Sequence, residues 1–322
     1  MRYLVTGGAG FIGSALVHQL RSESHDVVVL DNMTRGNQSR LADHVPGSLA
    51  VYKGDVRDYH AVVSSASGCD AIIHLAYLQG TQAFYSSPVE VLDVATRGML
   101  NVLDACEKHN IRDLMVVSSS EAYQVASVVP TPETIPLTVP DVLNPRYSYG
   151  GGKILWEIMA NAWGSEGKLD RVIIARPHNI IGPDMGREHV VPQFALRMKE
   201  LAAGQPHGVI DFPIQGTGQE TRSFCYITDL QEQLSVLLSE APGGVNVYHV
   251  GAMDERTVAE VAREVARCFG REILISPGEL WKGSPSRRLP DTSKISGLGY
   301  EGPEISFAQA IKCTVAWYQQ NG

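Results

Sequence analysis

The first thirteen residues constrain the fold more than any other stretch of the chain. Residues 2–6 form a short apolar run that leads directly into Gly7-x-x-Gly10-x-x-Gly13, followed by helical periodicity at Phe11, Ile12, Leu16 and Leu20. Strand, glycine turn and helix start together are the context that a dinucleotide fingerprint requires. Gly7 permits the tight turn, Gly10 lets backbone approach a diphosphate, and Gly13 lets the helix pack close to the strand. A diphosphate would then sit at the positive end of the helix dipole. A second run, Val27-Val-Val-Leu-Asp31, ends in an acid at the expected distance. A carboxylate there accepts hydrogen bonds from a ribose 2′-hydroxyl and repels a 2′-phosphate, so the expected cofactor is NAD rather than NADP; nearby Arg35 is the contrary sign.

Further apolar runs at 49–53, 71–74, 113–117 and 171–175 read as buried parallel strands, with helical patterns at 11–22, 58–66, 89–109 and 147–165 between them. This alternation predicts an α/β fold: a Rossmann-like doubly wound parallel sheet with helices on both faces. After about residue 176 the pattern becomes irregular, with helices near 191–203, 229–240, 256–269 and 305–319 among Gly/Pro-rich loops. The expected division is a dinucleotide-binding domain over 1–175 and a smaller C-terminal α/β substrate lobe over 176–322, with the two free to interleave. Ligands in such sheets bind at the carboxyl ends of strands, which directs attention to Gly7, Asp31, Asp55, Leu75-Ala76, Ser118-Ser-Ser120 and Pro177-His-Asn179.

The chain has 322 residues, 44% of them hydrophobic, and a net charge of −8 without a basic run, which gives no sign of nucleic-acid or anionic-membrane binding. No apolar run is long enough to span a bilayer, and the N-terminus reads as a core strand rather than a signal peptide. Cys69, Cys106, Cys225, Cys268 and Cys313 lack C-x-x-C spacing, as expected of reduced thiols in a cytoplasmic protein. No metal-ligand spacing stands out.

Tyr149-Gly-Gly-Gly-Lys153 places a phenol and an ammonium on one helix face. Ionising a phenol near neutrality takes about three pKa units, or ~4 kcal/mol. One cation at ~4.5 Å in an effective dielectric of ~20 supplies about 3.7 kcal/mol. The alternative is an ordinary surface pair. The loop Ser118-Ser-Ser-Glu-Ala-Tyr123 favours the catalytic reading, because a serine hydroxyl at a strand's carboxyl end can bridge a substrate hydroxyl to Tyr149; otherwise these serines cap a turn. The three glycines cost roughly 2–3 kcal/mol within a helix. They imply either close backbone approach to the cofactor or a neighbouring helix, or a helix that begins here.

Taken in order, Gly7-x-x-Gly10-x-x-Gly13, Asp31-Asn32, Gly54-Asp55-Val56, His74-Leu-Ala76, Ser118–Tyr123, Tyr149-x-x-x-Lys153, Arg176-Pro-His-Asn-Ile-Ile-Gly-Pro183, Gly216–Phe224 and Arg287–Lys294 resemble the extended short-chain dehydrogenase/reductase family. The likeness is to its nucleotide-sugar epimerases and dehydratases, of the UDP-glucose 4-epimerase type. It implies that Tyr149 removes the sugar 4-hydroxyl proton, with Ser119 as hydroxyl relay and Lys153 as electrostatic partner and ribose ligand. It implies that Gly7, Gly10, Phe11, Ile12, Gly13, Asp31, Asn32, Asp55, Val56, Leu75, Ala76, Tyr149, Lys153 and His178 bind cofactor. Tyr77, Ser119, Glu121, Asn179, Arg222 and Arg288 are implied to bind substrate, the arginines through the diphosphate, whose oxygens match a guanidinium fork. Relatives also pair the helices at 89–109 and 147–165 across a two-fold axis, which implies a homodimer. Their apolar stripes, Val91, Val94, Met99, Val102 and Leu103 on one and Ile154, Leu155, Ile158 and Met159 on the other, are expected to be mainly core.

The reaction rests on Ser120 and Glu121. All these enzymes first oxidise C4 to a ketone. Return of hydride to the other face makes the 4-epimer; elimination across C5–C6 makes a 4,6-dehydratase; a C6 carboxylate is lost as carbon dioxide. Ser120-Glu121 and the later Arg288-Leu-Pro290 resemble UDP-glucuronate decarboxylases, yet many members named epimerases share Ser-Ser-Glu. Glu121 is either a general base or a support for its loop. Ala95, Gln124 and His178 depart from the usual pattern. An NAD-dependent 4-epimerase is the leading expectation, a decarboxylase or dehydratase the second, and a non-catalytic NAD-binding regulator the third.

Overall fold

The computed structural model describes residues 1–42, 48–279 and 285–322. The first half alternates as its apolar runs require: β1 (Arg2–Thr6), α1 (Phe11–Ser22), β2 (Asp26–Asp31), β3 (Leu49–Lys53), α2 (Tyr59–Ser65), β4 (Ala71–His74), α3 (Thr81–Ser86), α4 (Pro88–His109), β5 (Asp113–Val117), α5 (Tyr147–Ser165) and β6 (Arg171–Pro177). The second half holds β7 (Ile180–Ile181), α6 (Val190–Gly204), β8 (Ile210–Pro213), β9 (Thr221–Ser223), β10 (Cys225–Tyr226), α7 (Ile227–Glu240), β11 (Gly244–Val250), β12 (Glu255–Thr257), α8 (Val258–Cys268), β13 (Ile273–Ser276), β14 (Arg287–Arg288), α9 (Ser293–Ser296) and α10 (Phe307–Asn321).

Seven strands form one parallel sheet in the order β11-β6-β5-β4-β1-β2-β3. Parallel strands covered on both faces read as continuous apolar runs, and β4 is buried at every position. Leu16, Val17 and Leu20 of α1 pack with Leu230, Leu234 and Leu237 of α7 on one face. Val62 and Val63 of α2, Met99, Val102 and Leu103 of α4, and Trp156 and Ala160 of α5 cover the other. The seventh strand comes from beyond residue 176: β11 pairs with β6 along its whole length, and α7 belongs to the sheet's outer layer. A separate core of Phe194, Met198, Phe212, Val261, Val265, Ile311 and Val315 joins α6, α8 and α10 into the smaller lobe.

One expectation about the helices changes. Val91, Val94, Met99, Val102 and Leu103 are buried, but Ile158 of α5 is 60% exposed, as are Leu92 (44%) and Leu100 (40%) of α4. The 3.6-residue period gave each of these helices two apolar faces, and the sheet covers one. No helix among the described residues is long and apolar enough to cross a membrane.

Candidate active site

The direction of the crossovers reverses between β1 and β4, and the glycine turn lies in that crevice. Gly7 has φ +74°, and a Cβ built there would stand 2.8 Å from the Ala76 nitrogen; one at Gly13 would overlap the Gly7 carbonyl. Helix α1 begins at Gly10 without a side-chain cap. Phe11, Ile12 and Gly13 of its first turn line a cavity, where their amides suit an anion. The Asp31 carboxylate accepts from the Ala9 amide (3.0 Å) and the Met33 amide (2.8 Å), tying the end of β2 to the turn. Arg35 donates to the Gln79 carbonyl.

Three cavities follow one another along the carboxyl edge of the sheet. The smallest, about 120 Å³, is lined by Asp31, Asn32, Val56, Leu75 and Ala76. The next, about 330 Å³, shares Gly7, Gly10 and Tyr77 with it and reaches Ser119, Ser120, Glu121, Tyr149 and Arg288. The third, about 950 Å³, shares Asn179 with the second and is lined by Arg146, Arg222, Tyr85 and Phe224. A glycine cradle, an acid at the tip of β2 and a run of connected space fit an extended dinucleotide, with room beyond it for a second ligand.

Three expected cofactor ligands, Asp55, Lys153 and His178, line none of these cavities. His178 is 1% exposed and lines none of these cavities; it sits behind the wall, its ring 4.9 Å from that of His249, with both nitrogens lacking a hydrogen-bond partner among the described residues. Burial first, then the charges of His249, Arg288 and Arg176, hold it well below the ordinary histidine pKa, so it is a neutral core residue. Asp55 is gripped by the Arg57 fork (2.9 and 2.8 Å), with Asn32 at 3.2 Å. Hydrogen bonding from Arg57 brings its carboxyl down to about 2.

The reacting groups converge from three segments. Ser119 follows β5, where its hydroxyl accepts from the Glu121 amide (3.1 Å) and caps the single turn Ser120–Tyr123. Tyr149 stands in the first turn of α5, stacked on Phe84 (4.7 Å) and edge-on to Tyr77 (5.0 Å). Burial pushes its phenol up to about 12, against a hydrogen bond from Ser119. Lys153, expected to supply most of the activation, is not among the causes of this shift. The Lys153 ammonium is drawn back to the Val117 carbonyl (2.7 Å) and lies 5.9 Å from the centre of the Tyr149 ring. Desolvation takes Lys153 well below its ordinary value, with Glu157 opposing.

Glu121 accepts from Arg288 at 2.7 Å, and Arg146 lies 3.9 Å from its other oxygen. Burial raises this carboxyl, but Arg288, Arg146 and Arg222 outweigh it, leaving Glu121 below its usual range. Arg222 is bonded to the Thr221 and Pro285 carbonyls (2.6 and 2.7 Å); burial and Arg288 bring it down to about 10. Asn179, at φ +42°, donates to the Ser223 carbonyl (2.9 Å).

Sequence reasoning missed a buried polar chain beneath these residues. Glu157 receives Arg176 (Nε 3.0 Å, Nη2 2.5 Å) and the Ser118 hydroxyl (2.5 Å); Arg176 continues to the Tyr123 hydroxyl, which meets His249 at 2.7 Å. Its one visible signal was spacing: Glu157 lies one turn beyond Lys153. Arg146, three residues before Tyr149, was signalled in the same way.

The model of the NAD dependent epimerase/dehydratase family matches residues 3–251. The chain is 27% identical to UDP-N-acetyl-alpha-D-glucosaminuronate decarboxylase of Bacillus cytotoxicus, over 99% of this chain and 98% of that one. It superposes with a TM-score of 0.86 on the dTDP-glucose 4,6-dehydratase of Streptomyces venezuelae solved with NAD bound, at 28% identity over 100% and 98% of the two chains. The TM-score is 0.85 with the NAD complex of the UDP-glucose 4-epimerase of Thermus thermophilus, at 25% identity over the full length of both.

Proposed function

The chain belongs to the NAD dependent epimerase/dehydratase family, and from that premise we propose that it is a 4-epimerase of a nucleotide-diphosphate sugar. NAD is its cofactor and, when bound, takes and returns the hydride at sugar C4. Gly7, Gly10 and the first turn of α1 hold the diphosphate of NAD, and Asp31 faces its adenosine ribose. Tyr149 takes the proton from the 4-hydroxyl, with Ser119 bridging the two. With the phenol raised to about 12, chiefly by burial, proton removal would draw on the positive charge of Lys153 and on that of an oxidised nicotinamide held in the crevice. Asn179, Arg222 and Arg288 hold the substrate at the mouth of the second and third cavities.

The observation that carries the choice of reaction is the Glu121–Arg288 pair. Elimination across C5–C6 needs a protonated acid for the departing hydroxyl. Glu121 is held ionised by its arginines, and Ser120 is a poor acid. Oxidation followed by return of hydride to the other face needs neither. Decarboxylation is the second reading, favoured by three arginines around a single carboxylate, a charge balance that seats a further anion. Incubation with NAD and a panel of UDP-, GDP-, ADP-, CDP- and dTDP-sugars, including uronates, separates them. The 4-epimerase gives a product of unchanged mass with C4 inverted; loss of carbon dioxide establishes the second reading, and loss of water refutes both. Glu121→Gln should retain turnover within about tenfold, since the group moves no proton.

We further propose a homodimer built on the face that Leu92, Leu100 and Ile158 leave uncovered, and work in the cytoplasm, in keeping with five free cysteines. Light scattering should give twice the chain mass of 35.0 kDa, and a monomer unaffected by Leu100→Lys would refute the pairing.

A further inference from the structure

Lys153 is buried with a single hydrogen-bond acceptor and, among the described residues, no carboxylate at contact distance. Its ammonium donates to the Val117 carbonyl (2.7 Å) and otherwise faces two aromatic rings, Trp156 at 3.7 Å and Tyr77 at 4.3 Å from their centres. Glu157, one turn further along α5, is taken up by Arg176 and Ser118. The two rings are themselves fixed. Trp156 is fully buried, donates its indole N–H to the Ala95 carbonyl (2.8 Å) and stacks on His74 (4.0 Å). Tyr77 lies edge-on to Trp156 (4.9 Å), and its hydroxyl fills the space that a side chain at Gly152 would need. That hydroxyl is directed at α5, reaching the Tyr149 carbonyl at 3.5 Å.

We propose that Tyr77 and Trp156 are positioning residues for Lys153: a two-ring cage that favours the ammonium form against the desolvation of its burial, with no carboxylate in contact. The physical point is what the cage lacks. A contacting carboxylate would also stabilise Lys153 but would offset its field at Tyr149. The negative faces of two neutral rings stabilise the cation while adding no net charge. The field of Lys153 therefore remains available to the phenol. The other groups facing Lys153 are His74 on β4, which is held neutral by its burial, and Tyr149 and Glu157 on α5. This assignment rests on the Tyr149–Lys153 chemistry and is independent of which sugar is used.

The test is a pH titration of the Lys153 Cε resonance in the purified protein with ¹³C-labelled lysine, assigned by its loss in Lys153→Met. It reads the cage directly, whether or not any sugar is turned over. Tyr77→Phe keeps the ring and should titrate within a few tenths of a unit of wild type. Tyr77→Leu removes one face, and its Lys153 should titrate about one unit lower. In the epimerase assay the rising limb of the kcat pH profile should move to higher pH in Tyr77→Leu alone. Equal titration in Leu and wild type, or an equal shift in Phe and Leu, would overturn the cage. If Tyr77→Leu fails to fold, mono-, di- and trifluorinated phenylalanine at 77 weakens the face at nearly constant shape; a graded fall supports the proposal and a flat series overturns it.

Discussion

Replacing Glu157 by Gln tests the buried polar chain on which the Ser118–Tyr123 loop rests. The Glu157 and Arg176 side chains are 7% and 5% exposed, joined by bonds of 3.0, 3.2 and 2.5 Å, with the Ser118 hydroxyl on the same carboxylate. Removing one partner of a buried pair leaves the other charge uncompensated, which typically costs about 3–5 kcal/mol. Arg176 keeps the Tyr123 hydroxyl and the Glu133 carbonyl (3.1 Å), so the loss should lie near the lower end, about 3 kcal/mol. Against a total of about 5–15 kcal/mol, that is a large fraction. Urea unfolding at pH 7 should show it as a lowered midpoint at unchanged slope. Arg176→Met should lose a similar amount, and Glu157→Gln with Arg176→Met less than the sum of the two single changes, by at least ~1.5 kcal/mol. A loss below ~1 kcal/mol in Glu157→Gln, or strict additivity, would refute the reasoning.

Gly152→Ala should cost about 1–3 kcal/mol despite the better helix propensity of alanine, because its Cβ overlaps the Tyr77 hydroxyl and lies 3.0 Å from the Ala95 Cβ. Adding Tyr77→Phe should recover most of that loss in the same unfolding assay, and no recovery would count against the fit. Buried His74 and His178 both have their folded pKa well below the ordinary value. Protonation therefore favours the unfolded chain: their contribution is complete above pH ~6.5 and falls by up to about 1.4 kcal/mol per pH unit for each below it. His178→Phe should flatten the measured dependence of stability on pH between 6.5 and 5 by one such slope; an unchanged slope would contradict neutral burial.

Much of this architecture was legible because parallel strands covered on both faces must be apolar throughout, and six of the seven announced themselves in that way. The seventh, β11, did not. Asn246 and His249 interrupt its run, and His249 is tolerated in the interior only because Tyr123 and the Asp291 carbonyl (3.0 Å) satisfy its ring. The glycine turn and Asp31 were readable since each is dictated by backbone geometry over a short span. Gly150–Gly152 lie in the first two turns of α5, which starts at Tyr147, and side chains at 150 and 152 would meet Gln124, Tyr77 and Ala95 of α4. Gln124 itself occupies φ +55° where glycine is usual. The arginines around Glu121, the cage around Lys153 and the retreat of His178 behind the wall depend on segments more than a hundred residues apart or on ring orientations, which no local pattern encodes. The same holds for the Tyr149 phenol, raised by burial that helix spacing does not reveal.

In the proposed reaction hydride leaves and returns to the same carbon, and Tyr149 moves only the hydroxyl proton. A nucleotide sugar deuterated at C4, incubated with the protein and NAD in ordinary water, follows that hydride from start to finish. The expected product has unchanged mass and keeps its deuterium at an inverted C4. Deuterium lost to solvent from C4, or its appearance at C6 with loss of water, would be incompatible with the proposed reaction.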